Sequence, residues 1–434
     1  MKVVCFYNVN LDAVHFLEGD SLSEIVRSQS VFPSLKMPER IENVKDFLCG
    51  LLTCMEKGTG AELIIENKTV AEFIEQNFSW SYRMGGNAGN MANVLAELGC
   101  KPVVNVPSLT PQLSSFFHPK VKVPVIEGKQ RKLVAPDKVA KKGLNLIHFV
   151  IQFQEGTEVR IGAKERKLIS PRENRFIATF DSLNSRLHMD PQLESYCNEN
   201  LDEVDGLLIS GFHLIPSSTV GGESYQSLLD RKMKNIARWK SIRPDLYVHV
   251  EMGDFEKDDI MRYLIRNLKV DSIGMNEDEI AILENLRPGW SGLLNVVCKV
   301  KYHLKVKRVC VHSREYILSV MTDLLPPEKE VQALTYGADI AASLVATGKI
   351  VKDPNTDGME MSKVGAKAVE ELVEKLSATK FGRGAYATIE DETICLVPSM
   401  ICHDPQTTVG IGDAMTAAAY YRQMDAIIER KKWR

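Results

Sequence analysis

Thr408-Val-Gly-Ile-Gly-Asp-Ala-Met415 follows an apolar run at 393–397 and leads into Ala414-Met-Thr-Ala-Ala-Ala-Tyr420, a stretch of small residues. The order reads as strand, loop (398–408), glycine turn, helix. Glycines at i and i+2 let the backbone turn tightly and approach a ligand without a Cβ in the way. The amides of Gly410, Ile411, Gly412 and Asp413 then point out of a helix N-terminus. Such an end carries roughly half a positive charge and suits an anion or a developing negative charge. Asp413 is the ionisable group there, a candidate general base beside an anion hole. The plainer alternative is a helix cap, for which Asp is a favoured residue.

Working outward, residues from 201 onward alternate between strands and helices. Strands are expected at 206–210, 247–251, 270–274, 308–312 and 316–321. Helices are expected at 225–240, 257–267, 277–283, 293–302, 335–346 and 365–376. That alternation predicts an α/β fold with a doubly wound parallel sheet and helices on both faces. The N-terminal part supplies a further strand at 3–7 and helices at 41–56 and 68–76. A helix opening at Gly85-Gly86-Asn87 runs to Leu98 and is capped by Gly99, and a strand covers 101–107. Residues 109–180 differ: strands at 121–126, 147–153 and 176–180 with few helices between them suggest a small inserted sheet domain.

With 434 residues, one large domain and a smaller one are expected. The chain is 44% hydrophobic and 26% charged, with 54 basic and 57 acidic residues and a net charge of −3. This is an ordinary globular composition with no field for nucleic acid or a membrane surface. Nine cysteines are spread out, with no Cys-x-x-Cys. With no secretory signal, they suggest free thiols in a reducing compartment and a cytoplasmic protein. No apolar run approaches the roughly 20 residues of a membrane span.

Candidate polar groups recur just after strands, where ligands bind in parallel α/β sheets. Asn10 and Asp12 follow the first strand. Gly86 allows close backbone approach, and Asn87 can both donate to and accept from a polyol, although the same residues also make a helix-entry turn. His249 and Glu251 alternate on one face of a strand end. Asn276 and Glu279 share a face of a helix start, as oxygen ligands for Mg²⁺ or as a capping box. Arg175 on a lid could clamp a phosphate. The run from Arg160 through Lys164, Arg166 and Lys167 could hold a second anion, such as a sugar phosphate, or form an exposed hairpin rim. There is no Gly-x-x-x-x-Gly-Lys-Ser/Thr, which excludes a P-loop. Gly410-x-Gly412 lacks a third glycine and a following strand with a ribose-binding acid, which argues against a dinucleotide dehydrogenase. No His/Cys cluster has zinc spacing.

Together these motifs resemble the ADP-dependent sugar kinases, a branch of the ribokinase-like superfamily. The matching pieces are Asn8-x-Asn10-x-Asp12, Gly85-Gly-Asn87, Glu173-Asn-Arg-Phe-Ile177, Ser210-Gly-Phe-His213, His249-x-Glu251, Ser272-Ile-Gly-Met-Asn-Glu-Asp-Glu279 and Asp404-Pro-x-x-Thr-Val-Gly-Ile-Gly-Asp413. The resemblance implies a ribokinase-like large domain (1–12, 38–60, 85–108 and 186–434) and a smaller discontinuous α+β lid (13–37, 61–84 and 109–185). It implies ADP as phosphoryl donor, Mg²⁺ or another divalent cation, and a sugar or sugar phosphate as acceptor. It implies neither a nucleic-acid nor a membrane partner, and a monomer is the default expectation.

By position, the resemblance makes Asp413 the catalytic base and Gly410, Ile411 and Gly412 the anion hole. Asn10, Asp12, Gly86 and Asn87 become sugar contacts; Lys164, Arg166 and Lys167 stay candidate contacts to a sugar phosphate on the strength of their local charge alone. Arg175, His312 and Val409 face the nucleotide. Glu251, Asn276 and Glu279 form the metal network, through water. Two departures stand out. Met252-Gly-Asp254 follows the His-x-Glu motif where relatives carry small apolar residues. Gly156-Thr157-Glu158 stands where glucokinases carry a Gly-Glu pair. With the basic run nearby, the second departure leans the expectation to fructose 6-phosphate. ADP-dependent glucokinase activity, bifunctionality and a non-catalytic sugar- or nucleotide-binding protein are the alternatives.

Overall fold

Lys2–Phe6 is apolar on both sides. Val3 and Cys5 join one core, Val4 and Phe6 the other. Gly206–Ile209 divides in the same way, with Leu208 on one face and Leu207 and Ile209 on the other. Strands buried on both faces belong in the middle of a sheet covered by helices. The computed structural model describes residues 1–29, 36–128, 130–162, 166–217, 222–284, 287–407 and 409–432. In it these strands lie within a ten-stranded sheet. From one edge, Lys101–Val104, Lys2–Phe6, Gly206–Ile209, Tyr247–Glu251, Ser272–Asn276 and Arg308–His312 run parallel. The α/β expectation holds, with one difference at the far end. Tyr316–Thr322, Glu392–Pro398, Gly384–Ile389 and Thr379–Phe381 are antiparallel to their neighbours. The turns at 313–315, 382–383 and 390–391 leave no room for a crossover helix, whereas helices Pro327–Thr347 and Lys363–Leu376 fill the long connection from Tyr316–Thr322 to Thr379–Phe381.

A second sheet has five strands in the order Ala61–Ile64, Asn174–Phe180, Ile147–Phe153, Asn10–Phe16, Ser81–Gly85. It corrects the reading of the N-terminus. Asn10 and Asp12 sit in a strand of this sheet rather than in a loop after the first strand. The segment alternates: Leu11 and Ala13 join the core, while Asn10 and Asp12 face the opposite side. Pairing on both edges overrides the turn-forming character of the asparagines.

Three further placements differ from the sequence reading. Helix Val44–Lys57, grouped above with the large domain, lies against the five-stranded sheet, with the Phe47 and Phe176 ring centroids 6.0 Å apart. The hairpin Val123–Glu127/Gln130–Val134, grouped with the lid, docks beside the outer parallel strand instead. There Val104 N donates to Lys122 O at 3.0 Å and Ile126 N to Gln192 Oε1 at 2.8 Å. Helix Pro327–Thr347 starts well before the expected 335.

The last helix, Ile411–Lys432, begins inside the Gly-x-Gly turn, three residues earlier than its small-residue run suggested. Helix Asn87–Glu97 packs against it. Both helices carry buried small residues, Ala88 and Ala92 on one and Ala414, Ala417 and Ala418 on the other. Small side chains let two helices approach closely, and a larger one would cost about 1–3 kcal/mol in overpacking. This approach brings the first turn of Asn87–Glu97 to the mouth of the last helix. No helix among the described residues is long and apolar enough to cross a membrane.

Candidate active site

Gly410 has φ +74°, the left-handed conformation that glycine tolerates, and its carbonyl accepts the first helical bond, from Ala414 N at 2.9 Å. Asp413 is the third residue of the helix and does not cap it. Its oxygens turn to another helix: Asn87 Nδ2 donates to Oδ1 at 2.8 Å and Asn90 Nδ2 to Oδ2 at 3.0 Å. Burial holds the Asp413 carboxyl above the usual carboxylate range, and the two amide donors work against that rise. Ile411 turns its side chain to the core and offers only its backbone. Thr408 lies outside the described residues.

Asp413 stands where two cavities meet. The smaller, about 230 Å³, is lined by Asn10, Asp12, Gly86, Asn87, Val409 and Gly410, with Arg83, His148 and Asn90. The larger, about 830 Å³, takes in Glu251, Asp254, Asn276, Glu279, His312 and Gly412. Asn87, Arg175, Gly410 and Asp413 border both.

A cross-strand row of the five-stranded sheet floors the smaller cavity: His148, Asp12 and Arg83 stand opposite one another in register, and Thr179, next in the row, faces the larger cavity. Asn10 Nδ2 donates to Asp12 Oδ1 at 2.9 Å, and Arg83 Nε lies 3.7 Å from Asp12 Oδ2. Gly85 must be glycine, because a Cβ there would sit 2.1 Å from Asp12 Oδ1. Burial raises the Asp12 carboxyl, and His148 and Arg83 pull it back. His148 is itself pushed up to about 9. Burial opposes its charge, but the bond to Asp181 (3.3 Å) and the nearby Glu62 outweigh burial. The imidazole is therefore a cation at neutral pH. The buried Asn10 Oδ1 has no protein partner and faces a cavity that can supply one.

In the larger cavity Glu251 lies between two histidines, His249 Nε2 at 3.2 Å and His312 Nε2 at 2.8 Å. Burial opposes its charge, yet the two bonds push its pKa down to about 2. Asn276 and Glu279 form a closed capping box. Glu279 N donates to Asn276 Oδ1 at 2.8 Å, and Asn276 N to Glu279 Oε2 at 3.0 Å. Burial, then the neighbouring Glu251, push Glu279 up to about 7. Among the described residues no group of three or more His, Cys, Asp or Glu is placed to hold a metal ion directly.

Among the described residues of the basic run, Arg160, Arg166 and Lys167 line neither cavity. Arg166 pairs with Glu56 at 2.6 Å and Lys167 with Glu158 at 3.0 Å, both more than half exposed on the hairpin of Glu158–Ile161 and Arg166–Ile169. Antiparallel pairing with a short connection turns these side chains to the rim. Lys164 lies outside the described residues. The sequence reading missed Arg83, His148 and Glu62, which only strand register unites. It also missed Asn90, whose signal was present: it stands at i+3 from Asn87 on one helix face.

A family model described as "ADP-specific Phosphofructokinase/Glucokinase conserved region" matches residues 1–422. The ADP-specific phosphofructokinase of Methanosarcina acetivorans is 26% identical, over 98% of this chain and 93% of that protein. The ADP-dependent glucose/glucosamine kinase of Pyrococcus furiosus is 27% identical, over 96% and 93%. A hypothetical ADP-dependent phosphofructokinase from Pyrococcus horikoshii has the same fold, with TM-score 0.83 and 22% identity over 99% of this chain and 98% of that one. An ADP-dependent kinase solved with fructose 6-phosphate and ADPβS matches with TM-score 0.79 and 23% identity, over 98% and 94%.

Proposed function

The chain belongs to the ADP-specific phosphofructokinase/glucokinase family and is an ADP-dependent sugar kinase, and from that premise we propose that Asp413 drives phosphoryl transfer from ADP to fructose 6-phosphate, giving fructose 1,6-bisphosphate and AMP. The supporting observation is the position of Asp413, a carboxylate at a helix N-terminus that borders both a sugar-sized cavity and a larger cleft. The acceptor occupies the smaller cavity, with Asp12, Asn10, Gly86 and Asn87 on its hydroxyls. Arg83 and His148 supply positive charge there, in place of the basic run on the rim. ADP lies in the larger cleft, with Arg175 and His312 around it, while Val409, expected beside the nucleotide, lines the smaller cavity.

In this reading Asp413 takes the proton of the C1 hydroxyl as that oxygen attacks the β-phosphorus in line. The bond from the β-phosphorus to the bridging oxygen breaks, and AMP departs with the electron pair. The Gly410–Asp413 amides and Arg175 face the charge of the travelling group. Glu251, Asn276 and Glu279 suit a hydrated Mg²⁺ rather than a fully protein-ligated ion, because each already spends bonds on a neighbour. The crowding that lifts Glu279 to about 7 is the kind a divalent cation relieves. When bound with ADP, the cation supplies charge neutralisation on the phosphates. We group the five-stranded sheet as a lid whose closure excludes water from the transfer. The nine free cysteines suit a reducing compartment, and we place the reaction in the cytoplasm.

A second reading, glucose as acceptor, is favoured by one observation. Asp12 and Glu62 both line the smaller cavity while Arg166 and Lys167 lie outside it, a setting in which an uncharged sugar also fits. Turnover with fructose 6-phosphate and with glucose, each with ADP and with ATP, tests both. ADP-dependent AMP production with fructose 6-phosphate is expected; production with glucose alone would replace the first reading by the second.

A further inference from the structure

Resting on Asp413 as the base, we propose that Asn90 is a positioning residue for it, the free end of an amide relay that begins at Ser210 and aims the carboxylate at the acceptor hydroxyl. A carboxylate can only accept hydrogen bonds, so its partners' orientation follows from chemistry. Asn87 and Asn90, one turn apart on the same helix, must each present Nδ2 to Asp413, and each takes a different oxygen. With its nitrogen so committed, Asn87 must use Oδ1 as an acceptor, and Asn8 Nδ2 donates to it at 3.0 Å. Asn8 Oδ1 must then accept in turn, and Ser210 Oγ donates to it at 3.1 Å. Asn8 and Ser210 are 2% and 0% exposed, and Ser210 Oγ also reaches Phe6 O at 3.3 Å. One sense of donation therefore runs from the ends of two parallel strands to Asp413, and it is the sense that an ionised carboxylate requires.

The two amides differ in freedom. Asn87 cannot turn without reversing Asn8 as well. Asn90 stands on the wall of the smaller cavity. With its nitrogen on Asp413, its carbonyl oxygen is left as an acceptor for a hydroxyl of the sugar. The relay thus counters the burial that favours a neutral, unreactive Asp413. The charged groups that face Asp413 include Glu251 and Asp12, on strands of the two different sheets, His312 at a strand end, and Arg175, which borders the same two cavities. None of them is altered by a change at Asn90 or Asn8.

The experiment is the pH dependence of kcat for Asn90→Leu, Asn90→Gln and Asn8→Ala, with ADP binding measured by calorimetry. Asn90→Leu should lower kcat about 10- to 100-fold and leave ADP affinity unchanged, because a bond to a charged group is lost. Loss of a donor makes the carboxylate easier to protonate. The acid limb should therefore move to higher pH by about one unit. Asn90→Gln keeps an N–H and should move it less, and Asn8→Ala should shift it in the same direction by a smaller amount. If kcat falls in Asn90→Leu and Asn8→Ala while the acid limb stays in place, the residues only support the fold and the proposal is overturned. Asp413→Asn separates the two levels: near-normal turnover there removes the base itself, whereas an inactive Asp413→Asn with an unmoved limb in Asn90→Leu removes only the relay.

Discussion

Two helices open into the cleft with an acidic third residue, and they use it in opposite ways. In Glu277–Ala281, Glu279 turns back to its own N-cap, Asn276, and closes a box that satisfies the local backbone. In Ile411–Lys432, Asp413 turns away from its own helix to two asparagines of another. The same arrangement recurs as pure capping on the surface, where Asp46 and Asn43 close the start of Val44–Lys57. A carboxylate at a helix start is thus a cap when a local amide can use it. It becomes available for chemistry when glycines occupy the cap positions and distant donors take it. Glu279 is an intermediate case, bonded as a cap yet facing the cleft.

Removing Asp413, the member of the pair we propose as the base, should have the largest effect. Asp413→Ala should lose about 10²- to 10⁴-fold in kcat while still binding ADP in calorimetry; near-normal turnover would make it equivalent to Glu279 and dissolve the contrast. Next comes the wall that Asp413 faces. His148 is raised above its unfolded value of 6.5 to about 9, so its stabilisation is complete below about pH 6.5 and is lost as pH rises through about 9. Denaturant unfolding across that window should show a loss on the order of 2 kcal/mol, which His148→Gln should flatten. Glu279→Gln can keep the bond from Asn276 N and loses only the one from Asn276 Nδ2, so it should cost about 1 kcal/mol or less in unfolding. The Mg²⁺ concentration for half-maximal rate should rise about 10- to 100-fold; no rise would make Glu279 a cap and nothing more. Asn276→Ala should cost about 1 kcal/mol in unfolding, the ordinary value of a cap. The smallest effect is expected at the rim: Arg166→Gln with Lys167→Gln should change stability by about 1 kcal/mol or less. The KM for fructose 6-phosphate should not move, and a clear rise would restore the hairpin to the site.

The parts of the site that sequence made legible are those set by short-range geometry. Asp413, Asn87, Glu251 and Glu279 each sit within a few residues of a strand–helix junction, and the glycines and alternation around them mark those junctions. Asp12 was found as a polar group near a strand end, but the strand that carries it was missed, because Asn8 and Asn10 read as turn formers while cross-strand partners decided otherwise. Arg83 and His148 were out of reach for the same reason: 65 positions separate them, and only strand order places both beside Asp12. The basic run is the opposite case: its charge density reads as a binding site, while its described members Arg166 and Lys167 pair with Glu56 and Glu158 at the surface. The antiparallel end of the large sheet was missed because short apolar strands with tight links carry no helical period to separate them.

Only Tyr7, Asn8 and Val9 separate strand Lys2–Phe6 of one sheet from strand Asn10–Phe16 of the other. Val9 is held from across the gap by Asn184, which accepts from its N at 3.3 Å and donates to its O at 3.1 Å. The residues proposed to choose the sugar hang directly from the strand at the heart of the other layer. A chimera that borrows the five-stranded sheet of a relative must therefore be spliced ahead of Asn8, or it will inherit a new sugar pocket joined to a base set for the old one.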